Sequence, residues 1–273
     1  MTMTSTRPAS RPGSRYRFGG AARMEWIKLR SLRSTRWTLL VMTAAMIGLG
    51  ILVLRYYPAH WRHMSAADKA SFDPVNQGYT GVALAQLAMG MLGVLAITGE
   101  YSSGMIRSTL AAVPDRPLLL AAKAAVFGAA ALAVGELLSL ATFLIGQATL
   151  ASPAPRATLG QPGVLRAVLM IGAYLCLVGL IGLGLGAIIR HPAGAIAALV
   201  GVILLVPPIL AAFPGSVLQG PGRFLPELIA ENSLAISRPV PYSLSPWAGL
   251  GMLCLYAAIV LGAGGLLLAR RDA

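Results

Sequence analysis

Charge is what this sequence has least of. Only 11% of its 273 residues are charged and 9 are acidic, whereas a soluble domain draws about a quarter of its residues from Asp, Glu, Lys and Arg. With 56% hydrophobic residues and a mean hydropathy of +0.73, too little polar surface remains to cover a water-soluble globule, so the solvent is partly lipid. Cysteine is equally scarce. Cys176 and Cys254 both lie in apolar stretches, which argues against a disulfide framework of the secreted kind and for small packing residues. No G-x-x-x-x-G-K-[ST] occurs, and none of Lys28, Lys69 and Lys123 precedes Ser or Thr, so the chain has no phosphate-cradling loop of that kind. His60, His63 and His191 are joined by no carboxylate cluster that would make a metal site. No catalytic constellation stands out, and the chain is not read as an enzyme.

What is present is a set of long apolar runs. A bilayer core needs about 20 apolar residues per helix, and six runs qualify: Trp37 to Leu54, Tyr79 to Thr98, Ala124 to Thr149, Val168 to Ile189, Ala193 to Phe213 and Trp247 to Ala269. The first begins too late and lacks the small-residue pattern of a cleavable signal peptide. Arg190-His191-Pro192 leaves room only for a tight connection between the fourth and fifth runs. The expected fold is therefore all-α: a polytopic membrane protein with six transmembrane helices and both termini on one side. Of the 22 basic residues, 15 fall on the side of the termini, 9 of them before the first run. The positive-inside rule makes that side cytoplasmic. The net charge of +13 is thus explained by orientation and anionic lipid rather than by nucleic acid.

Residues 1–18, rich in Thr, Ser, Pro and Arg, read as a disordered basic cytoplasmic tail, and residues 19–273 as the six-span domain. Between Gly20 and Arg36, Ala22, Trp26, Leu29 and Leu32 share one side of a basic helix, the pattern of a segment lying in the membrane interface.

Three runs carry small residues at helical spacing. They are Ala124, Gly128, Ala131, Gly135, Ser139, Thr142 and Gly146; Gly172, Cys176, Gly179, Gly182 and Gly186; and Gly251, Cys254, Ala258, Gly262, Gly265 and Ala269. Such stripes let helix backbones approach closely in lipid. Glu136, one turn from Ser139, is the one acidic residue well inside a run; it either lines a pathway or bonds a neighbouring helix, with Gln86 a candidate partner. Pro207-Pro208 removes two backbone donors from the fifth run and is expected to kink or break it. The connection from Pro214 to Pro246 holds Phe224, Leu225, Leu228, Ile229, Leu234 and Ile236, which suits a re-entrant helical segment before the last span or an external cap.

The most informative stretch is Gly99 to Lys123, GEYSSGMIRSTLAAVPDRPLLLAAK. Glu100 and Arg107, seven residues apart, are expected to share a helix face, and Asp115 with Pro117 forms an N-cap pattern for the next helix. Here the chain resembles the permease subunits of ABC type-2 exporters, in which E-Y-x-x-G-[ST]-x-R follows the second span; the positions are Glu100, Tyr101, Gly104 and Arg107, with Met105 where a hydroxyl residue is usual. EWIKLRSLRSTRWTLL, from Glu25 to Leu40, is similar to the interface helix leading into the first span of such permeases.

The resemblance covers roughly residues 20 to 273. It implies a permease of the bacterial plasma membrane that works as a homodimer or heterodimer on separately encoded ATP-binding cassette subunits. ATP and Mg are used by that partner, and no cofactor is bound directly. It also implies that Glu100, Tyr101, Gly104 and Arg107, helped by Glu25, Trp26 and Lys28, couple ATP hydrolysis to the spans. The competing readings are an ion-coupled secondary transporter acting through Glu136 and a non-transporting membrane anchor or immunity protein.

Overall fold

The computed structural model describes residues 18–31, 33–212, 220–234 and 243–270, so the basic tail, Leu32 and Ile236 lie outside the described residues. All regular structure among the described residues is helical. Helix α1 (Phe18–Ser31) precedes a first span made of α2 (Arg33–Thr43), a π-helical turn (Ala44–Gly48) and α3 (Leu49–His60). Short helices α4 (Ala66–Ser71) and α5 (Pro74–Gly78) lead to α6 (Val82–Ser102), the second span. Helix α7 (Met105–Ala112) links it to α8 (Arg116–Thr149), and α9 (Val164–Ile189) follows. The fifth span consists of α10 (Pro192–Val200), a second π turn (Gly201–Leu205) and α11 (Val206–Ala211). A 3-10 turn (Pro221–Phe224) and α12 (Pro226–Leu234) precede the last span, α13 (Pro246–Arg270). Six of these helical stretches are long and apolar enough to cross a membrane, matching the six runs of the sequence.

The helix boundaries follow from local chemistry. Asp115 accepts a hydrogen bond from the Leu118 amide at 3.1 Å and Pro117 sits in the first turn, so α8 starts where the N-cap pattern predicts. Asp73 caps α5 through the amides of Val75 and Asn76, and His191 caps α10 with Pro192 at its first position. Arg190 adopts φ +60° between α9 and α10, closing the tight hairpin. In the fifth span the π turn lies just before Pro207 and Pro208, where the missing amides and the proline rings disturb the regular ladder.

Helix α9 is the hub, packed against α6, α8 and α13, and every member of its small-residue stripe is buried. Gly93 and Gly182 show why: a Cβ on Gly93 would lie 2.0 Å from the Gly179 carbonyl oxygen, and one on Gly182 would lie 2.2 Å from that of Gly90. The α6 and α9 backbones are in direct contact there. The stripe of the third span also faces inward from Ala131 to Gly146. The stripe of the last span does not: Gly251, Cys254, Ala258, Gly262 and Ala269 are exposed, and the buried line of α13 is Gly249, Leu253, Ala257, Gly264 and Leu268. Both lines have helical spacing, but only the second carries bulky Leu253 and Leu268 to fill the space against the bundle.

Candidate functional site

Where α1 crosses the ends of α6 and α8, four charged side chains form a compact cluster. The Lys28 ammonium donates to Glu25 Oε1 and to Glu100 Oε1, both at 2.9 Å, and to Thr109 Oγ1 at 3.0 Å. Lys123 donates to Glu25 Oε2, to Glu100 Oε1 at 2.6 Å and to the Ala96 carbonyl at 3.3 Å. Each ammonium therefore spends its three protons in three directions, and the two Lys and two Glu cancel in charge. Glu25, Glu100 and Lys123 are buried and Lys28 is partly so. Charges removed from water in this way are tolerable only because they are mutually paired. Glu100 Oε2 is also buried and has no hydrogen-bond partner among the described residues.

The cluster unites two segments that the sequence singles out separately. Glu25 and Lys28 come from α1 and Glu100 from the last turn of α6, while Thr109 belongs to α7 and Lys123 to α8. Below it, Ala21 and Met24 of α1 pack with Val113, Leu119 and Ala122. The inward side of α1 is thus Ala21, Met24 and Glu25, one step round from the expected side, and Trp26 and Ile27 are left exposed. A cavity of about 410 Å³ opens beside the cluster, with Leu29, Leu95, Met105, Val126 and Phe127 among its walls.

Glu100 and Arg107 do not share a helix face. Gly104 adopts φ +71°, a left-handed conformation that glycine enters without a Cβ penalty. It ends the helix after Ser102 and starts α7 in a new direction, leaving Arg107 exposed while Glu100 is buried. The connection is also shorter than residues 99–123, because α6 runs to Ser102 and α8 begins at Arg116. Tyr101 turns to the other side of α6, where the Arg190 guanidinium lies 5.2 Å from its ring centroid. Arg190 and Arg116 in turn donate to the Leu267 and Leu268 carbonyls at 3.2 and 3.0 Å, capping the end of the last span.

Within the spans, Gln86 does not meet Glu136. It accepts a buried hydrogen bond from the Tyr174 hydroxyl, and Glu136 instead lies against Gly172, with Oε2 unpartnered among the described residues. A side chain at residue 172 would collide with the carboxyl group, so the glycine makes the room Glu136 occupies. Ser139 donates to the Val168 carbonyl at 2.7 Å and its backbone carbonyl accepts from Tyr79 at 2.9 Å, fastening α8 to α9 and to the segment before α6. Cys176 is buried as expected; Cys254 is exposed.

Sequence reasoning passed over Lys123, Arg116 and Arg190 as ordinary positive flanks. One signal was there: 19 of the 22 basic residues are arginine, and two of the three lysines stand in the cluster, where a compact ammonium serves three acceptors that a planar guanidinium would not. The sequence matches no family model and no curated protein.

Proposed function

We propose that this chain is the permease subunit of an ATP-driven exporter, paired with a second permease copy and seated on a separate cassette ATPase that binds ATP and Mg. One observation carries the reading. The two segments marked by the resemblance to ABC type-2 permeases, around Glu25 and around Glu100, are locked into one buried ionic unit that also holds α7 and α8. A push on α1 or α7 from the termini side is thereby delivered to the second and third spans as a rigid-body motion. Exposed Arg107 on α7 is the contact offered to the ATPase, with Gly104 as the joint.

The side of the termini carries 15 of the 22 basic residues, which supports a cytoplasmic position for it, in the bacterial plasma membrane that the exporter reading implies. Exposed Trp26 and Ile27 make α1 an interface helix whose outer side meets lipid headgroups. The segment from Pro221 to Leu234 is re-entrant. Tyr256 donates to the Phe224 carbonyl at 3.0 Å, about 15 Å along α13 from its start at 1.5 Å per residue. Ile229 meets Gly249 nearer the start, so the segment climbs back toward the outer side.

The first test is whether a gene beside this one encodes a cassette ATPase, and the second is reconstitution with the ATPase so found. Co-purification of the two subunits and ATP-dependent efflux are expected. Arg107→Ala and Glu100→Gln are expected to retain membrane insertion and ATP hydrolysis while lowering the substrate moved per ATP. Full transport in both variants would remove the coupling assignment. The unpartnered carboxyl of Glu136 supports the second reading, a secondary transporter; that reading requires transport without any ATPase and its loss in Glu136→Gln.

A further inference from the structure

At the middle of the third span one polar side chain stands without a bond. Gln86, Thr98, Ser139 and Thr142 are all hydrogen-bonded within the spans, whereas Glu136 makes no hydrogen bond or ion pair among the described residues. It lies about 18–20 Å from either end of the run Ala124 to Thr149 at 1.5 Å per residue. Its carboxyl group rests over Gly172, in the space a side chain there would fill. The α8 and α9 backbones meet at this seam: a Cβ on Gly135 would lie 2.7 Å from the Gly172 carbonyl oxygen. Oε2 is buried in the seam and Oε1 is not, so the side chain is partly exposed. A carboxyl group at that depth has no water to bond and is costly without a partner.

The donors that flank the seam are already spent on backbone carbonyls. Tyr79 donates to the Ser139 carbonyl at 2.9 Å, the Ser139 hydroxyl to the Val168 carbonyl at 2.7 Å, and the Cys176 thiol to the Gly128 carbonyl at 3.3 Å. No cation of the chain reaches the carboxyl either. None of the six apolar runs contains Lys, Arg or His, and no ion pair joins Glu136 to Arg166, the basic residue of α9. A second copy brings the same runs, so it cannot set a cation against Glu136 at this depth. The surface around the carboxyl is hydrocarbon: Leu132 and Leu140, one turn to either side on α8, and Leu169 of α9 are exposed.

We infer that Glu136 anchors a binding site for a lipophilic amine that keeps its N–H donors, with the ammonium on the carboxyl and the apolar body along Leu132, Leu140 and Leu169. A charge-assisted N–H···O bond is about twice as strong as one from a neutral hydroxyl, and pairing is what makes either charge tolerable in hydrocarbon. A quaternary ammonium has no proton to donate and gains most over an aromatic face, whereas the large exposed side chains beside Glu136 are leucines. As cargo, such an amine supplies the substrate class of the proposed exporter, and that step alone rests on the exporter reading. Binding itself needs no ATPase, so the two can fail separately.

The full-length protein would be placed in phosphatidylcholine nanodiscs and titrated with tritiated dodecylamine, dodecanol or dodecyltrimethylammonium, bound label being counted as the excess over protein-free nanodiscs. Saturable binding of dodecylamine is expected, with an affinity about tenfold or more above those of the other two, as one charge-assisted hydrogen bond supplies. Glu136→Gln breaks no described bond, so it is expected to keep the wild-type thermal midpoint while losing that preference. Glu136→Asp, which keeps a carboxyl group, is expected to retain part of it. Absence of saturable dodecylamine binding, equal binding of dodecanol or dodecyltrimethylammonium, or unchanged dodecylamine affinity in Glu136→Gln would overturn the assignment. Disulfide-linked dimers formed through Leu132→Cys, without saturable amine binding, would overturn it in favour of a second copy.

Discussion

The Lys123 ammonium lies 2.6 Å from Glu100 Oε1, with both side chains about 95% removed from solvent. Lys123 stands two turns into α8 and Glu100 in the last turn of α6, so this pair ties the end of the second span to the beginning of the third across the α7 connection. Glu25 bridges the same ammonium to α1. The three elements nearest the termini side of the bundle thus move together or pay for an unpaired buried charge.

Removing one partner of such a cluster strands the others. Lys123→Met is expected to destabilise the protein by about 3–5 kcal/mol, read as a lowered thermal midpoint in detergent. Glu25→Gln combined with Lys123→Met leaves Lys28 and Glu100 still paired, so the double variant should cost less than the sum of the singles, by about 1 kcal/mol or more. Lys123→Arg should not restore the wild-type midpoint, because a planar guanidinium does not reach Glu25, Glu100 and Ala96 in three directions. Strict additivity of the two singles would show that the cluster is not a unit.

Much of this was legible in the sequence. The six spans were, because each apolar run exceeds what a buried soluble helix needs, and so was the start of α8, because Asp115 and Pro117 act on their own backbone neighbours. The site was half legible. Glu25, Lys28 and Glu100 stand out as charges beside apolar runs, but Lys123 reaches Glu25 across 98 positions, a distance no local pattern spans. The Gln86 to Tyr174 bond, across 88 positions, was hidden for the same reason. In the last span periodicity finds two lines of residues and cannot say which faces the bundle; bulk, at Leu253 and Leu268, decides it.

That distinction gives a contrast between glycines. At Gly182 a methyl group would meet the Gly90 carbonyl oxygen at 2.2 Å, whereas at Gly262 nothing lies within 4 Å. Gly182→Ala is expected to force α6 from α9 and cost about 1–3 kcal/mol or more. Gly262→Ala is expected to be neutral or stabilising by about 0.5–1 kcal/mol, since alanine suits a helix interior better. Thermal midpoints that fall equally in both would contradict the close packing of α6 on α9.

The two arginine caps predict a local effect. Arg190 reaches the Leu267 carbonyl and Arg116 the Leu268 carbonyl, holding the last turn of α13. Arg190→Asn keeps a residue type that tolerates positive φ while removing the guanidinium. Amide exchange in the last turn of α13 should then accelerate by about tenfold, the scale of one hydrogen bond to a charged group, with exchange at the start of α13 unchanged. Uniform acceleration along α13 would mean that the arginine supports the whole fold rather than this end.

Orientation can be checked directly because exposed positions fall on both sides. Ser103 lies in the connection after the second span, on the side that carries 15 of 22 basic residues, and Ala67 lies in α4 between the first and second spans, beside Asp68. In a background with Cys176 and Cys254 replaced by Ala, a membrane-impermeant maleimide is expected to label Ala67→Cys in spheroplasts and Ser103→Cys only in inverted vesicles. Basic residues resist transfer toward the outer side while acidic ones contribute little to orientation, so reversing the sign at Arg107 and Arg116 together should weaken this preference. Labelling of Ser103→Cys in spheroplasts of the otherwise unaltered chain would invert the topology, and with it the assignment of Glu25, Glu100 and Arg107 to the ATPase-facing side.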